Sequence, residues 1–352
     1  MAATSYGTND PLAVKLWSKR LAVEVLKTTW ASRFMGPTSA SVIQVRDETQ
    51  KSAGDKITYG LRMQLSGAGV IGDGTLEGQE EALTTFSDAL VVNQLRHAVR
   101  SAGRMSQQRV PFEIRDEALS GLRDWWSDRI DASFLNQVCG NTSQADTRFT
   151  GLQATVDADS NHHVYINSNE ASDASISTTS TFTLSIIDKA VERARTLTPA
   201  IRPVNIGGKQ FYVGILHPYQ VTDLRTNTNS GQWLDIQKAA MTGGEIDDNP
   251  IFDGSLGVYN GVILHSDIRV GPGINSSAAV ANTRRAAFLG GQAAVCGYGR
   301  DNGPERFTWV EELFDYENEL GVSAGMIWGL KKTVFNSLDF ATVVMATYAA
   351  QH

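Results

Sequence analysis

Apolar positions follow two different periods along this chain. Between Pro111 and Gly140, Leu119, Leu122, Trp126, Ile130, Phe134 and Val138 step by three or four, with Arg123, Asp124, Asp128 and Asp131 on the remaining faces. That spacing places one apolar stripe along a helix. Gly140 stands where a left-handed C-terminal cap is expected. About 28 helical residues make a rod roughly 40 Å long. A second helix is predicted after Asp10-Pro11, an N-cap followed by proline at the first helical position. There Ala13, Trp17, Leu21 and Val25 recur until Gly36-Pro37 stops the pattern. Ile187, Ala190, Val191, Ala194 and Leu197 form a third amphipathic helix, and Val221 and Leu224 begin a short one after His217-Pro218.

The other period is two. Ile57, Tyr59, Leu61, Met63 and Leu65 alternate with Thr58, Gly60, Arg62 and Gln64, and Ala82 to Val92 returns as a second extended run. Between them lies Gly67-Ala68-Gly69-Val70-Ile71-Gly72, a formal match to the dinucleotide fingerprint G-x-G-x-x-G. The fingerprint needs a buried parallel strand before it and a helix N-terminus after it to hold the pyrophosphate. The preceding strand alternates, which marks a half-exposed antiparallel strand. Asp73-Gly74-Thr75-Leu76-Glu77-Gly78 follows, and each glycine there costs a helix about 1 kcal/mol relative to alanine. The motif is therefore the tip of a two-stranded excursion from Lys56 to about Gln94. Arms of roughly 10 residues at about 3.3 Å each, plus the tip, reach at least about 35 Å. The radius of gyration of a compact chain of this length is about 20 Å. A lone ribbon is marginal in water, so the excursion either folds back or lies across another subunit.

Further strands are predicted at Val42–Val45, Phe211–Leu216, Tyr259–His265, Ala286–Leu289, Phe307–Leu313, Gly325–Thr333 and Phe340–Ala346. The order is mixed α+β, without regular βαβ units and without repeats. The N-terminal fifth reads as an arm rather than a domain with its own core. Asp157 to Thr181, rich in Ser, Asn, Thr and Asp, reads as an exposed loop carrying His162 and His163 at the surface.

Composition narrows the function. A chain of 352 residues with 41% hydrophobic and 20% charged residues can bury a sizeable core and is long enough for two domains. A net charge of -7 argues against a protein held to nucleic acid mainly by phosphate contacts. Two widely separated cysteines, Cys139 and Cys296, fit inert buried thiols in a reducing compartment. No apolar h-region opens the chain, and Phe340 to Ala350 is too short and interrupted to span a bilayer. The expectation is a soluble intracellular product without a membrane segment.

Candidate chemistry fails position by position. Asp253-Gly254-Ser255-Leu256-Gly257 resembles a nucleophile elbow, but Asp253 replaces its first glycine. The acidic turn with Asp247, Asp248 and Asp253 lacks EF-hand residues at Ile251 and Phe252. His162-His163 has no partner at zinc spacing, and Trp125-Trp126 reads as core rather than a base-stacking platform. Glu311, Glu312, Asp315, Glu317 and Glu319 form an acidic run, read as a solvated strand and turn or, more sharply, as a contact for a basic partner. Arg96, Arg100 and Arg104 would make a basic stripe if helical, serving local ion pairs or a face toward nucleic acid or another subunit. No catalytic, cofactor or metal site is predicted.

The order of elements resembles the fold of tailed-phage major capsid proteins. Local sequence is similar to the Schitovirus-like capsid family at Gln94-Leu95-Arg96-His97-Ala98-Val99, Met105-Ser106-Gln107-Gln108-Arg109, and Trp126, Asp131, Phe134-Leu135-Asn136-Gln137 and Gly140. Further matches are Phe211-Tyr212-Val213, His217-Pro218, Asp223-Leu224-Arg225, Tyr259 to Leu264 and Trp328-Gly329-Leu330-Lys331-Lys332. The resemblance spans about 17 to 347. It implies an N-terminal arm (1–50), an extended E-loop (51–95), a P-domain (96–183) with a spine helix at 111–139, an A-domain (184–305) and closing P-domain strands (306–352). It further implies pentamers and hexamers of the chain closing an icosahedral shell around double-stranded DNA, bound without sequence specificity, as part of the virion. Separate scaffolding, portal and possibly decoration proteins would be its partners. Within the excursion, Gly67, Gly69, Gly72, Arg62 and Phe86 are the candidate subunit contacts. An encapsulin-like compartment subunit is the alternative, and a mixed α+β enzyme using Asp253, His217 or His265 a more distant one.

Overall fold

The computed structural model describes residues 11–48, 54–111, 113–206, 208–227, 256–299 and 306–352. Its longest helix runs Ile114–Val138, 25 residues, a rod of about 37 Å. It starts three residues later than the sequence pattern suggests. Leu119, Leu122, Trp126, Ile130, Phe134 and Val138 are all buried, so the stripe is the core face. Trp126 is fully buried with its ring edge-on to Phe307. Trp125 is half-buried and stacks on His97, centroids 4.5 Å apart. Both tryptophans are packing residues.

The chain forms two large sheets, and the long helix packs on strands of the first. A six-stranded sheet runs Met35–Gly36, Ile43–Arg46, Ala294–Tyr298, Glu319–Lys332, Thr308–Phe314, with Asn93–Arg100 also paired to Glu319–Lys332. An eight-stranded sheet runs His163–Val164, Thr342–Tyr348, Ala278–Leu289, Lys209–Leu216, Val262–Ser266, Gly257–Tyr259, with Pro272–Asn275 and Val204–Ile206 attached. The strand Lys209–Leu216 is buried from Phe211 onward, as its continuous apolar run requires. Sheet membership crosses the intervals named above. Ala294–Tyr298 pairs with Glu319–Lys332 in the six-stranded sheet, while Thr342–Tyr348 pairs with Ala278–Leu289 in the eight-stranded one.

The N-terminal segment is embedded in the common core: Leu21, Val25, Ala31, Phe34, Val42 and Ile43 are buried there. Trp17 of the first helix, Pro11–Thr28, stacks on Trp309 with centroids 5.8 Å apart.

Several expectations are corrected. Tyr259–His265 is a hairpin, Gly257–Tyr259 and Val262–Ser266, because Asn260 and Gly261 both take positive φ (46° and 75°) and turn the chain. The segment of Arg96 and Arg100 is a strand, so no helical stripe forms, and Arg100 pairs with Glu319 at 2.5 Å. Glu311, assigned to a solvated run, is buried, accepting from Arg115 at 2.8 Å and from the Trp309 indole at 3.0 Å.

The segment 157–181 is exposed over much of its length but is anchored to the body at His162, Val164, Glu170, Asp173 and Ser180, which are buried. His162 is buried against Asp159 (Nδ1 to Oδ2, 2.7 Å), and His163 faces the buried Asp173 at 3.1 Å. Glu170 accepts from the amides of Asn167 and Ser177 and from the Ser180 hydroxyl. These internal partners let a polar segment pack. Among the described residues no helix is long and apolar enough to cross a membrane.

Candidate functional site

The excursion is built by Lys56–Arg62 and Thr85–Val91, paired antiparallel from Lys56 opposite Val91 to Arg62 opposite Thr85. At its base the alternating apolar side chains enter the core: Ile57, Tyr59 and Leu90 are buried. Asp88 ties the stem to the body. It accepts from Tyr59 Oη at 2.7 Å, from Lys331 Nζ at 2.5 Å and from the Val334 amide at 3.2 Å.

The ladder ends with the Met63 amide on the Thr84 carbonyl, 3.0 Å. Beyond it the Glu81 carboxylate closes the neck, accepting the amides of Ser66 (2.8 Å) and Gly67 (2.6 Å). Those two amides hold the Glu81 carboxyl below its ordinary range. At and beyond the neck, apolar side chains stand in the open: Leu65, just before it, is 57% exposed, and Ile71 and Leu76, past it, are 94% and 59% exposed.

The predicted contact residues fall into two groups. Gly67, Gly69 and Gly72 are in the tip, the last two at φ of 71° and 63°. Arg62 and Phe86 are near the outer end of the stem, Arg62 exposed and Phe86 half-buried against the core opposite Leu61. Glu81 was missed by sequence reasoning; a carboxylate closing a glycine-rich turn was its available signal.

The residues considered for chemistry occupy structural positions. His217 caps the helix Pro218–Thr226, its Nδ1 accepting the Tyr219 amide at 3.2 Å. Burial, with the nearby Arg284 charge, pulls its pKa down to about 4. His265 is fully buried among Trp30 and Phe34. Asp247, Asp248, Asp253 and Ser255 lie outside the described residues. Cys139 and Cys296 are buried, and burial pushes both thiols up to about 11. Among the described residues no group of His, Cys, Asp or Glu could hold a metal ion.

The sequence profile of the phage capsid protein family matches residues 5–351. The chain belongs to the phage capsid protein family. This capsid protein is 26% identical to the major capsid protein of Pseudomonas phage KPP25, over 94% of this chain and 91% of that one. Its fold matches the capsid of Ralstonia phage GP4 with a TM-score of 0.80 and 34% identity over 99% of both chains. The cyanophage Pam1 capsid shares the fold at a TM-score of 0.73 and 19% identity, covering 100% of this chain and 95% of that one. The protein is thus a tailed-phage major capsid protein, a structural component of the virion and not an enzyme. A capsid protein works through self-association in the shell.

Proposed function

We propose that this major capsid protein assembles as pentamers and hexamers into an icosahedral phage head around double-stranded DNA, with the excursion laid over a neighbouring copy. The observation that carries this reading is the tip itself. Leu65, Ile71 and Leu76 stand exposed beyond the end of the two-stranded ladder, and apolar groups so placed are stabilised by burial against another chain. Arg62, Phe86, Gly67, Gly69 and Gly72 belong to that contact.

In this reading residues 1–50 are the arm, 51–95 the E-loop, 96–183 the P-domain with its spine helix, 184–305 the A-domain and 306–352 the closing strands. The acidic balance of -7 leaves few phosphate contacts, so DNA is enclosed without sequence specificity. A separate scaffold, a portal and possibly a decoration protein complete the head. The motifs around Gln94–Val99 and Trp328–Lys332 support placement in the Schitovirus-like branch.

Negative-stain microscopy with light scattering on the purified chain, intact and lacking Ser66–Gly78, tests the reading. The intact chain forms shells, tubes or capsomer rings; the deletion remains folded and unassembled. Normal particles from the deletion would refute the excursion's role.

A further inference from the structure

The charge pattern of the tip points to the surface that receives it. Residues 63–84 contain Asp73, Glu77, Glu80 and Glu81 and no lysine, arginine or histidine. Glu81 is committed to Ser66 and Gly67, and Glu80 accepts the Gly78 amide at 2.7 Å. Asp73 and Glu77 are exposed, and neither has an ion-pair partner among the described residues. With Ile71 and Leu76 beside them, the tip is an apolar knob carrying two free negative charges.

A surface of opposite character lies along the stem. A cleft of about 840 Å³ runs between Leu61–Ser66 and the turn 197–202, with Phe340 in its lining. Leu61, Leu65, Leu197, Pro199 and Phe340 make its apolar wall. The charged residues of its lining are Arg62 and Arg202; both are exposed, and neither guanidinium has a carboxylate partner among the described residues. The chain's own tip does not fill this cleft, since Ile71 is 94% exposed.

We propose that the cleft between the stem and the turn 197–202 is the receptor for the tip of a second copy. Ile71 and Leu76 meet the apolar wall, and Asp73 and Glu77 face Arg62 and Arg202. The inference rests on the reading that the excursion contacts another copy, and adds which face accepts it. Complementary charge at such a rim sets register and orientation. It is also screened by salt, so the contact weakens as ionic strength rises.

Reciprocal charge reversal tests this. One variant carries Asp73→Lys and Glu77→Lys, another Arg62→Glu and Arg202→Glu, and a third all four. The four side chains are exposed, and circular dichroism verifies that each variant folds. Either pair alone is expected to lower particle yield at least about tenfold, because like charges then face each other, and the combined variant to recover it. Undiminished assembly by either pair, or no recovery in the combination, overturns the proposal.

Cross-linking gives a second readout. Thr75→Cys and Ala200→Cys are placed on separate chains and mixed under an added oxidant; both positions are exposed and the native thiols are buried. A disulfide-linked dimer of the two variants is expected in assembled particles, and particles without it overturn the proposal. Deleting Ser66–Gly78 separates the two levels. Normal assembly of the deletion refutes the excursion reading itself. A deletion that blocks assembly while charge reversal has no effect refutes this receptor alone.

Discussion

Arg285 and Asp173 form a buried ion pair, Nε to Oδ2 at 2.6 Å, with 2% and 0% of their side chains exposed. The same guanidinium donates to the carbonyls of Cys139 (3.4 Å) and Gly140 (3.1 Å), just past the end of the long helix, and to Asp157. Asp173 in turn accepts the Ile274 amide at 2.7 Å. One cation therefore joins the long helix, the 157–181 segment and the eight-stranded sheet, and it sits where a helix C-terminus favours positive charge.

Arg285→Met removes the cation and leaves Asp173 buried beside uncapped carbonyls. Breaking one side of a buried pair costs about 3–5 kcal/mol. Urea denaturation of the soluble subunit is expected to show a loss of that order. A change below about 0.5 kcal/mol would show that the pair is not holding these elements together.

The same segment is expected to loosen in acid. Burial acts to raise the Asp173 carboxyl, but His163, Arg285 and the Ile274 amide outweigh it and hold the pKa at about 2. Burial likewise opposes, and His162 with the Asp339 and Asn161 amides overcomes it, so that Asp159 also lies at about 2. A depressed carboxyl contributes stability above its unfolded value, lost as pH falls through the folded one. Protease cleavage within 157–181 should therefore rise between about pH 4 and about pH 2.

Asp131 carries the opposite sign. It accepts the amides of Trp30 (3.0 Å) and Ala31 (2.8 Å), yet burial outweighs these bonds and raises it to about 6. Its contribution is fully present below the unfolded value near 3.8 and is lost as pH rises through about 6. Relative to Asp131→Asn, the wild-type chain should lose roughly 3 kcal/mol from about pH 4 to about pH 7. Parallel stability curves for the two proteins would contradict this.

Gly329 seats the stem of the excursion on the six-stranded sheet. A Cβ there would stand 2.5 Å from the Val91 carbonyl oxygen and 3.3 Å from Leu90 Cδ1. Gly329→Ala must push the returning strand away, at a cost of about 1–3 kcal/mol. A lowered melting temperature with new cleavage at the stem is expected; an unchanged melting temperature would show that the strand yields freely.

Much of the architecture was legible in local pattern. The Leu119-to-Val138 stripe and the alternation from Ile57 are properties of neighbouring residues; the stripe is buried throughout, and the alternation forms a strand as far as Arg62, with Leu65 exposed beyond it. The wrong fingerprint at Gly67 was also recognisable locally, because its flanks had the wrong period. Arg96 and Arg100 were misleading for a geometric reason: a spacing of four keeps two residues on one face of a helix and of a strand alike. Pairing with Glu319–Lys332, more than two hundred positions away, decides for the strand. His162 and His163 were assigned to the surface because Ser- and Asn-rich composition usually marks solvent exposure. Short polar side chains can instead satisfy one another and the backbone inside a packed segment, as Glu170 does with Asn167, Ser177 and Ser180.

The amino-acid order by itself determined the helices, the excursion, the apolar faces and the absence of paired catalytic motifs. Each of these follows from side-chain period and turn chemistry within a few residues. Only the tertiary structure decided that Ala294–Tyr298 and Thr342–Tyr348 belong to different sheets, that Arg285 meets Asp173, and that a cleft flanked by Arg62 and Arg202 opens beside the stem. Those relations depend on which distant surfaces exclude water together. Neither strand pairing nor desolvation is encoded in the spacing of any single segment.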